Sequence, residues 1–255
     1  MAEAGGRRWS GLLLLAALLL LWEVSAAWWV DSTNWPRLSA VAVALVQGLR
    51  SGELLEVFAS SLYRMAAGYA AGTTAGVLTG LLLARSRWAR AALEPLFEFL
   101  RPIPIPAIVP PLILLLGVDD AMKIFVVAFS AFFPLLINTM AGVRAVDPTV
   151  LDVARTFQHG RVGTLWRVVL PASLPHILAG MRVSLALALI VTVVAEMIAG
   201  SAGIGYHVVT MQYAMRSGDM YAAIVLLAVA GYGLNRVILA VERRAIHWYH
   251  RADGA

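Results

Sequence analysis

Apolar residues fall into six long blocks along the chain, roughly Gly11–Trp29, Val57–Ala84, Ala91–Val118, Ala121–Val143, Ala172–Gly200 and Met220–Val241, with shorter polar stretches between them. A helix needs about 20 mostly apolar residues to cross a hydrocarbon core. Each block qualifies or comes close, so the pattern predicts an all-α polytopic membrane protein with six transmembrane helices. Several blocks exceed the minimum, which predicts tilted spans or partly interfacial ends. Composition points the same way: 60% of the 255 residues are hydrophobic and 14% are charged, and the mean hydropathy is +0.79. Soluble domains carry about 25% charged residues.

The placement of the positive charges predicts orientation. With the N-terminus inside, cytoplasmic segments hold Arg7, Arg8, Arg85, Arg87, Arg90, Arg144, Arg155, Arg161, Arg167, Arg243, Arg244 and Arg251, while the outer segments hold Arg37, Arg50, Lys123 and Arg216. That asymmetry puts both termini in the cytoplasm. The expected division is a tail and first span (1–30), an external segment (31–56), a five-span core (57–245) containing a cytoplasmic loop (147–170), and a basic cytoplasmic tail (246–255). Arg7-Arg8, the leucine run and "VSAA" also fit a cleavable signal. Trp28 and Trp29, placed like an interfacial belt, favour a retained span.

Two spans carry unusual patterns. In the second, Gly68, Gly72, Gly76 and Gly80 recur every four residues, which keeps them on one helical face and predicts close packing against another helix. In the third, "RPIPIPAIVPP" places Pro102, Pro104, Pro106, Pro110 and Pro111 within ten residues. Proline removes a backbone donor and disfavours helix at the residue before it, so a regular helix is not expected there. Broken backbone at membrane depth lines a wet cavity or is buried in protein. Pro102, Pro104, Pro106 and Pro110 are therefore candidates for a translocation path. Arg64 and Glu196 are charges inside spans two and five. Arg64 lies seven residues from the outer end, about 10 Å along the axis, at a depth similar to Glu196. Lipid makes such charges costly, so either the two pair at an outer gate, or Arg64 snorkels to the headgroups while Glu196 faces water in a cavity.

Catalytic signatures are missing. The chain has no cysteine, hence no disulfide, thiolate metal site or thiol nucleophile. The five histidines are scattered, with His247 and His250 in the basic tail. No P-loop occurs, and "GSAGIGY" (200–206) reads as a tight outer loop rather than a nucleotide fingerprint. No cofactor in this chain, no metal and no nucleic-acid partner are expected.

The cytoplasmic loop is the most polar internal stretch. Asp147-Pro148 predicts a helix start, with Asp147 as cap and Pro148 at the first position. Thr149–Phe157 reads as a short helix, Gly160 as its stop, and Arg161–Leu170 as a second helix ending at Leu170-Pro171. Loops this long are usually functional, and two helices with exposed polar positions predict a docking surface.

"DVARTFQHGRVGTLWRVVLP" resembles the EAA loop of binding-protein-dependent ABC importer permeases, which reads E-A-A, three residues, G, nine residues, I-x-L-P. Asp152, Val153 and Ala154 take the first three places, Gln158 stands where the glycine is expected, Val168 replaces the isoleucine, and Leu170-Pro171 match. The glycine is displaced to Gly160. "RPIPIPAIVPPLILLLGV", "KIFVVAFSAFFPLLINTMAGVRAVDP", "LPASLPHILAGMRVSLALALIVTVVAEMIAG" and "GIGY" extend the resemblance over about residues 35–250, to the nitrate/sulfonate/taurine-type subgroup. It implies a type I importer fold in a bacterial inner membrane. It also implies a second permease copy, two cytosolic ABC ATPases holding ATP and Mg, and an extracytoplasmic substrate-binding protein. Asp152, Val153, Ala154, Arg155, Thr156, Gln158, His159 and Gly160 would form the coupling loop that docks on the ATPase. The implied function is a non-catalytic permease for a small anionic nutrient such as nitrate, a sulfonate or taurine. A stand-alone secondary carrier and a membrane-embedded enzyme are the alternatives. The carrier would show internal symmetry and broken helices in both halves, and the enzyme a catalytic constellation at one depth.

Overall fold

A computed structural model describes residues 3–30 and 32–246; the tail from residue 247, with His247 and His250, lies outside the described residues. Helix α1 (Glu3–Val24) continues through a π-turn (Ser25–Trp29). It is followed by α2 (Leu38–Ser51), α3 (Glu53–Arg85), α4 (Arg87–Leu100), α5 (Ile105–Leu116) and α6 (Asp120–Arg144). Then come α7 (Pro148–Thr156), α8 (Arg161–Thr164), a second π-turn (Leu165–Val169), α9 (Leu170–Ala199), α10 (Ile204–Tyr213) and α11 (Ser217–Ala245). Among the described residues four helical segments are long and apolar enough to cross a membrane: α3, α6, α11, and Arg161–Ala199. The bent pair α4–α5 brings the number to five if it is one span.

The centre is a layer of α3, α6 and α9, and the glycine stripe explains why it forms. Gly68, Gly72, Gly76 and Gly80 are all buried against α6. A Cβ on Gly76 would come 2.7 Å from the Phe132 carbonyl and from Leu135 Cβ, and one on Gly72 would collide with the Ala128 backbone. Gly142 of α6 and Gly180 of α9 continue the pattern on the next interface, facing His176 and Asn138. Without an attractive hydrophobic term between helices in lipid, such close backbone approach is what brings van der Waals contact. The stripe is packing. Around it, α2, α10 and α11 enclose a second apolar cluster with Val41, Leu54, Ile204, Val208, Ala222 and Ala223.

Several expectations are corrected. The proline segment breaks the chain only at residues 101–104, where α4 and α5 meet at 101°. Pro104 caps α5, Pro106 occupies its first turn, and Pro110 and Pro111 sit inside a regular helix. The first turn needs no N–H donors, so only the last two prolines cost ladder bonds, and α5 tolerates them. No helix end occurs at Leu170-Pro171 either. The π-turn, closed by Leu170 N–H donating to Leu165 C=O, joins α8 to α9; its wider turn relieves the crowding that proline imposes on the preceding turn. Residues 31–56 contain α2 and the start of α3, and "GSAGIGY" is a loop only as far as Gly203.

Candidate functional site

Charged side chains meet where the ends of α3, α6 and α9 converge on the loop before α10. Arg64 Nη1 donates to Glu196 Oε1 at 2.8 Å and to the Ala202 carbonyl at 3.2 Å, while its Nε donates to Asp120 Oδ1 at 2.6 Å. Glu196 is fully buried, and Arg64 is 6% exposed. Ser61, one turn before Arg64, lies 2.8 and 2.7 Å from the two Glu196 oxygens. Its hydroxyl oxygen accepts from the Ile204 N–H at 2.8 Å, and the Gly205 N–H donates to Glu196 Oε2 at 3.0 Å. Gly203 has φ +107°, and a Cβ there would collide with the Glu196 carboxylate. Only glycine satisfies both conditions.

The structure thus brings together the two charges that sequence placed at similar depth, and adds partners that sequence reasoning missed. Asp120 is half-exposed at the start of α6. Lys123, counted above among the outer-segment charges, lies one turn into α6, is 1% exposed and sits within electrostatic range of Arg64, Asp120 and Glu196. Asp119, Asp120 and Glu196 therefore share one region with Arg64 and Lys123. Ser61 was legible only as a hydroxyl three residues from Arg64. The backbone donors of residues 204 and 205 carry no sequence signal, because the glycines of 200–205 read as loop where α10 starts at Ile204.

The proline break shapes a second feature. A cavity of about 420 Å³ lies between the break, α6 and α9, lined by Arg101, Ile103, Ile105, Ser130 and Asn138 among others. Of the prolines named as path candidates, Pro102 and Pro104 lie at the break that turns the chain, and Ile103 and Ile105 beside them face this cavity. Pro102, Pro104, Pro106 and Pro110 are all exposed.

At the arginine-rich end, α7 forms as its sequence dictates. Asp147 Oδ1 accepts from the Thr149 N–H at 2.8 Å, and this bond holds the Asp147 carboxyl below its ordinary range. The helix ends in a Schellman turn: Gln158 N–H donates to Arg155 C=O at 2.9 Å and His159 N–H to Ala154 C=O at 3.1 Å. Gln158 has φ +56°, the left-handed position usually held by glycine. The stop is therefore at Gln158, and Gly160 begins α8 instead. Asp152, Val153, Arg155 and Thr156 are exposed, as are Phe157 and Gln158; Asp152 accepts from Arg155 at 2.8 Å. Ala154 is 3% exposed, turned toward its own chain. Gln158→Gly should raise the thermal stability of the purified protein by up to about 1 kcal/mol, since a left-handed non-glycine residue costs about 1–2 kcal/mol and glycine returns part as entropy. A melting temperature unchanged or lowered would contradict that turn.

The model of the binding-protein-dependent transport system inner membrane component family matches residues 72–247, from the middle of α3 past the end of α11. The chain belongs to this family. The SsuC protein of Bacillus subtilis (strain 168), assigned as an aliphatic sulfonates transport permease, is 34% identical over 96% of this chain and 89% of the relative. The taurine transport system permease protein TauC of Escherichia coli (strain K12) is 29% identical over 82% and 76%. Among solved structures, an inward-facing form of the MetNI methionine ABC transporter matches with a TM-score of 0.65 and 16% identity, covering 72% of this chain and 92% of that one. An amino acid ABC transporter with histidines matches at 0.63 and 15%, over 78% and 98%. These last two show the fold. The family is one of transport components, in keeping with the sequence expectation of a permease.

Proposed function

We propose that this chain is the membrane-spanning permease subunit of an ATP-driven, binding-protein-dependent importer for a small anionic nutrient. Family membership over residues 72–247, which takes in α7, is the observation that carries this reading. The sulfonate, taurine and nitrate permeases among its relatives support the anionic class. Six spans would be α1 with its π-turn, α3, the α4–α5 pair, α6, Arg161–Ala199 and α11. Both termini would lie in the cytoplasm of a bacterium, with an extracytoplasmic binding protein delivering solute on the opposite side. Two copies would pair, because each chain offers one α7 and two ATPases close together. Relatives and fold neighbours that are ABC permeases weigh against a stand-alone carrier or an embedded enzyme.

The coupling step follows from the mechanics of α7. Its exposed face, with Asp152, Val153, Arg155, Thr156 and Gln158, and the neighbouring His159 and Gly160, would seat in the ATPase. Nucleotide binding, with ATP and Mg held by that partner, draws the two ATPases together. The seated loops follow as rigid bodies, and α6 and α9, joined to α7 at either end, swing the cavity outward. The buried cluster around Arg64 and Glu196 would be the outer latch that holds the path closed until then. Ala154 acts from the inside: a bulky charged residue there displaces α7 from its own chain.

Introduced cysteines test the docking, since the chain has none of its own. Gln158→Cys should cross-link to the cytosolic ATPase with a yield that changes on adding nucleotide. Ala154→Glu should uncouple ATP hydrolysis from uptake. A reporter fused after Phe157 should read as cytoplasmic and one after Thr210 as external. An external signal after Phe157, or no cross-link with uptake intact in all variants, would exclude the loop as the docking element.

A further inference from the structure

We infer that the cleft between α7–α8 and the ends of α3 and α6 is a binding site for the headgroup of an anionic phospholipid. The cleft holds about 760 Å³ and is lined by Arg85, Arg155, His159 and Arg161, over an apolar floor that includes Val143 and Val169; no acidic residue lines it. Arg85 Nη1 donates to the Arg161 carbonyl at 3.3 Å, which ties the Arg85 guanidinium to the start of α8, where Arg161 also lines the cleft. Neither arginine forms an ion pair among the described residues. Arg155 is partly answered by Asp152, which is itself exposed. Two to three positive charges thus line one cleft, with no acidic side chain among its described lining residues. Like charges held together repel, and the arrangement is stabilised when an external anion bridges them.

Location favours a lipid as the source of that anion. α3 ends at Arg85 and α6 at Arg144, and the segment that becomes α9 begins at Arg161, so three apolar spans terminate around the cleft. Trp88, three residues after Arg85, and Trp166, five after Arg161, have 88% and 64% of their surface exposed. Indoles beside cations at span ends are the signature of the headgroup layer, and basic pockets between span ends bind phosphate-bearing headgroups. The volume exceeds what a single phosphate ion fills, and three arginines match the two phosphodiesters of cardiolipin better than the one of phosphatidylglycerol. The site rests on the membrane-spanning reading of α3, α6 and α9; it shares Arg155 and His159 with the loop proposed to dock on the ATPase, while Arg85 and Arg161 belong to the cleft alone.

Native mass spectrometry of the detergent-solubilised full chain, with cardiolipin, phosphatidylglycerol and phosphatidylcholine added in turn, reads the site directly. Cardiolipin should bind about tenfold or more tightly than phosphatidylcholine, with phosphatidylglycerol between them and the preference falling as salt rises. Arg85→Gln with Arg161→Gln should reduce the preference to near parity. Arg85→Lys with Arg161→Lys, which keeps the charge and guards against a folding artefact, should retain most of it. Arg243→Gln with Arg244→Gln, removing equal charge at the end of α11, should leave it unchanged. Millimolar glycerol phosphate should not displace the lipid. The proposal is overturned by a wild-type chain without preference, by a Gln pair that keeps it, or by an equal loss in the α11 variant. It is also overturned if glycerol phosphate binds where lipid does not. Loss of ATPase co-purification from the Gln pair with lipid binding intact would assign the cleft to ATPase carboxylates instead, without touching the proposed transport function.

Discussion

Glu196→Ala is expected to destabilise the protein by about 3–5 kcal/mol, the usual cost of removing one partner from a buried ion pair. The substitution leaves Arg64, 6% exposed, with Asp120 and one carbonyl, and strips the Gly205 N–H and the Ser61 hydroxyl of their carboxylate acceptor. Thermal unfolding in detergent measures this, and Glu196→Gln should fall between the wild type and the alanine variant because the amide oxygen still accepts hydrogen bonds. Uptake by the assembled importer should fall in parallel if the cluster is a latch. The charge-swap cycle is a sharper test. Were the two charges all that mattered, combining Arg64→Glu with Glu196→Arg would restore much of the loss. The geometry predicts little recovery, because the Gly205 N–H, the Ser61 hydroxyl and the bare Cα of Gly203 are arranged around a carboxylate at position 196. Near-complete recovery in the double variant would show that the surrounding donors are incidental.

Gly72→Val should be the most damaging substitution in the α3 stripe. Overpacking a core typically costs about 1–3 kcal/mol when side chains can yield; here the obstacle is the Ala128 backbone, which cannot move without parting α3 from α6. The expected result is a loss at or above the top of that range, seen as poor membrane accumulation and a melting temperature well below wild type. Gly233→Ala on α11 is the matched contrast. Nothing lies within 4 Å of a Cβ at that position, so the substitution should be neutral or stabilising by about 0.5–1 kcal/mol through helix propensity. Equal effects at the two glycines would mean that the α3–α6 contact is not the close-packed seam described.

The sequence by itself determined the helical class, most of the apolar segments, the glycine face and the start of α7. These are local or periodic properties: hydropathy over about 20 residues, a repeat of four, and a cap followed by proline. Each is a statement about neighbours in the chain, and each survives without knowing the fold. The sequence also set Arg64 and Glu196 at similar depth, because helical rise alone gives depth. Rotation about each helix axis is a different matter. It decides whether two charges 132 residues apart meet, and it is set by how α3, α6 and α9 pack.

Tertiary structure therefore decided the cluster's composition. It moved Lys123 from an outer charge to a buried one, recruited Ser61 and Asp120, and made Gly203 obligatory through the carboxylate that lies against it. Tertiary contacts also overrode local rules. Proline at 110, 111 and 171 reads as a helix breaker, yet α5 absorbs the first two and a π-turn accommodates the third. Gly160 looks like a stop, yet the left-handed turn fell on Gln158, where two backbone hydrogen bonds close the helix. An ordinary side chain's propensity is worth about a kilocalorie or less, and a proline's about 3 kcal/mol. The packing of three long helices on a glycine seam is worth more, so where the two conflicted, packing prevailed.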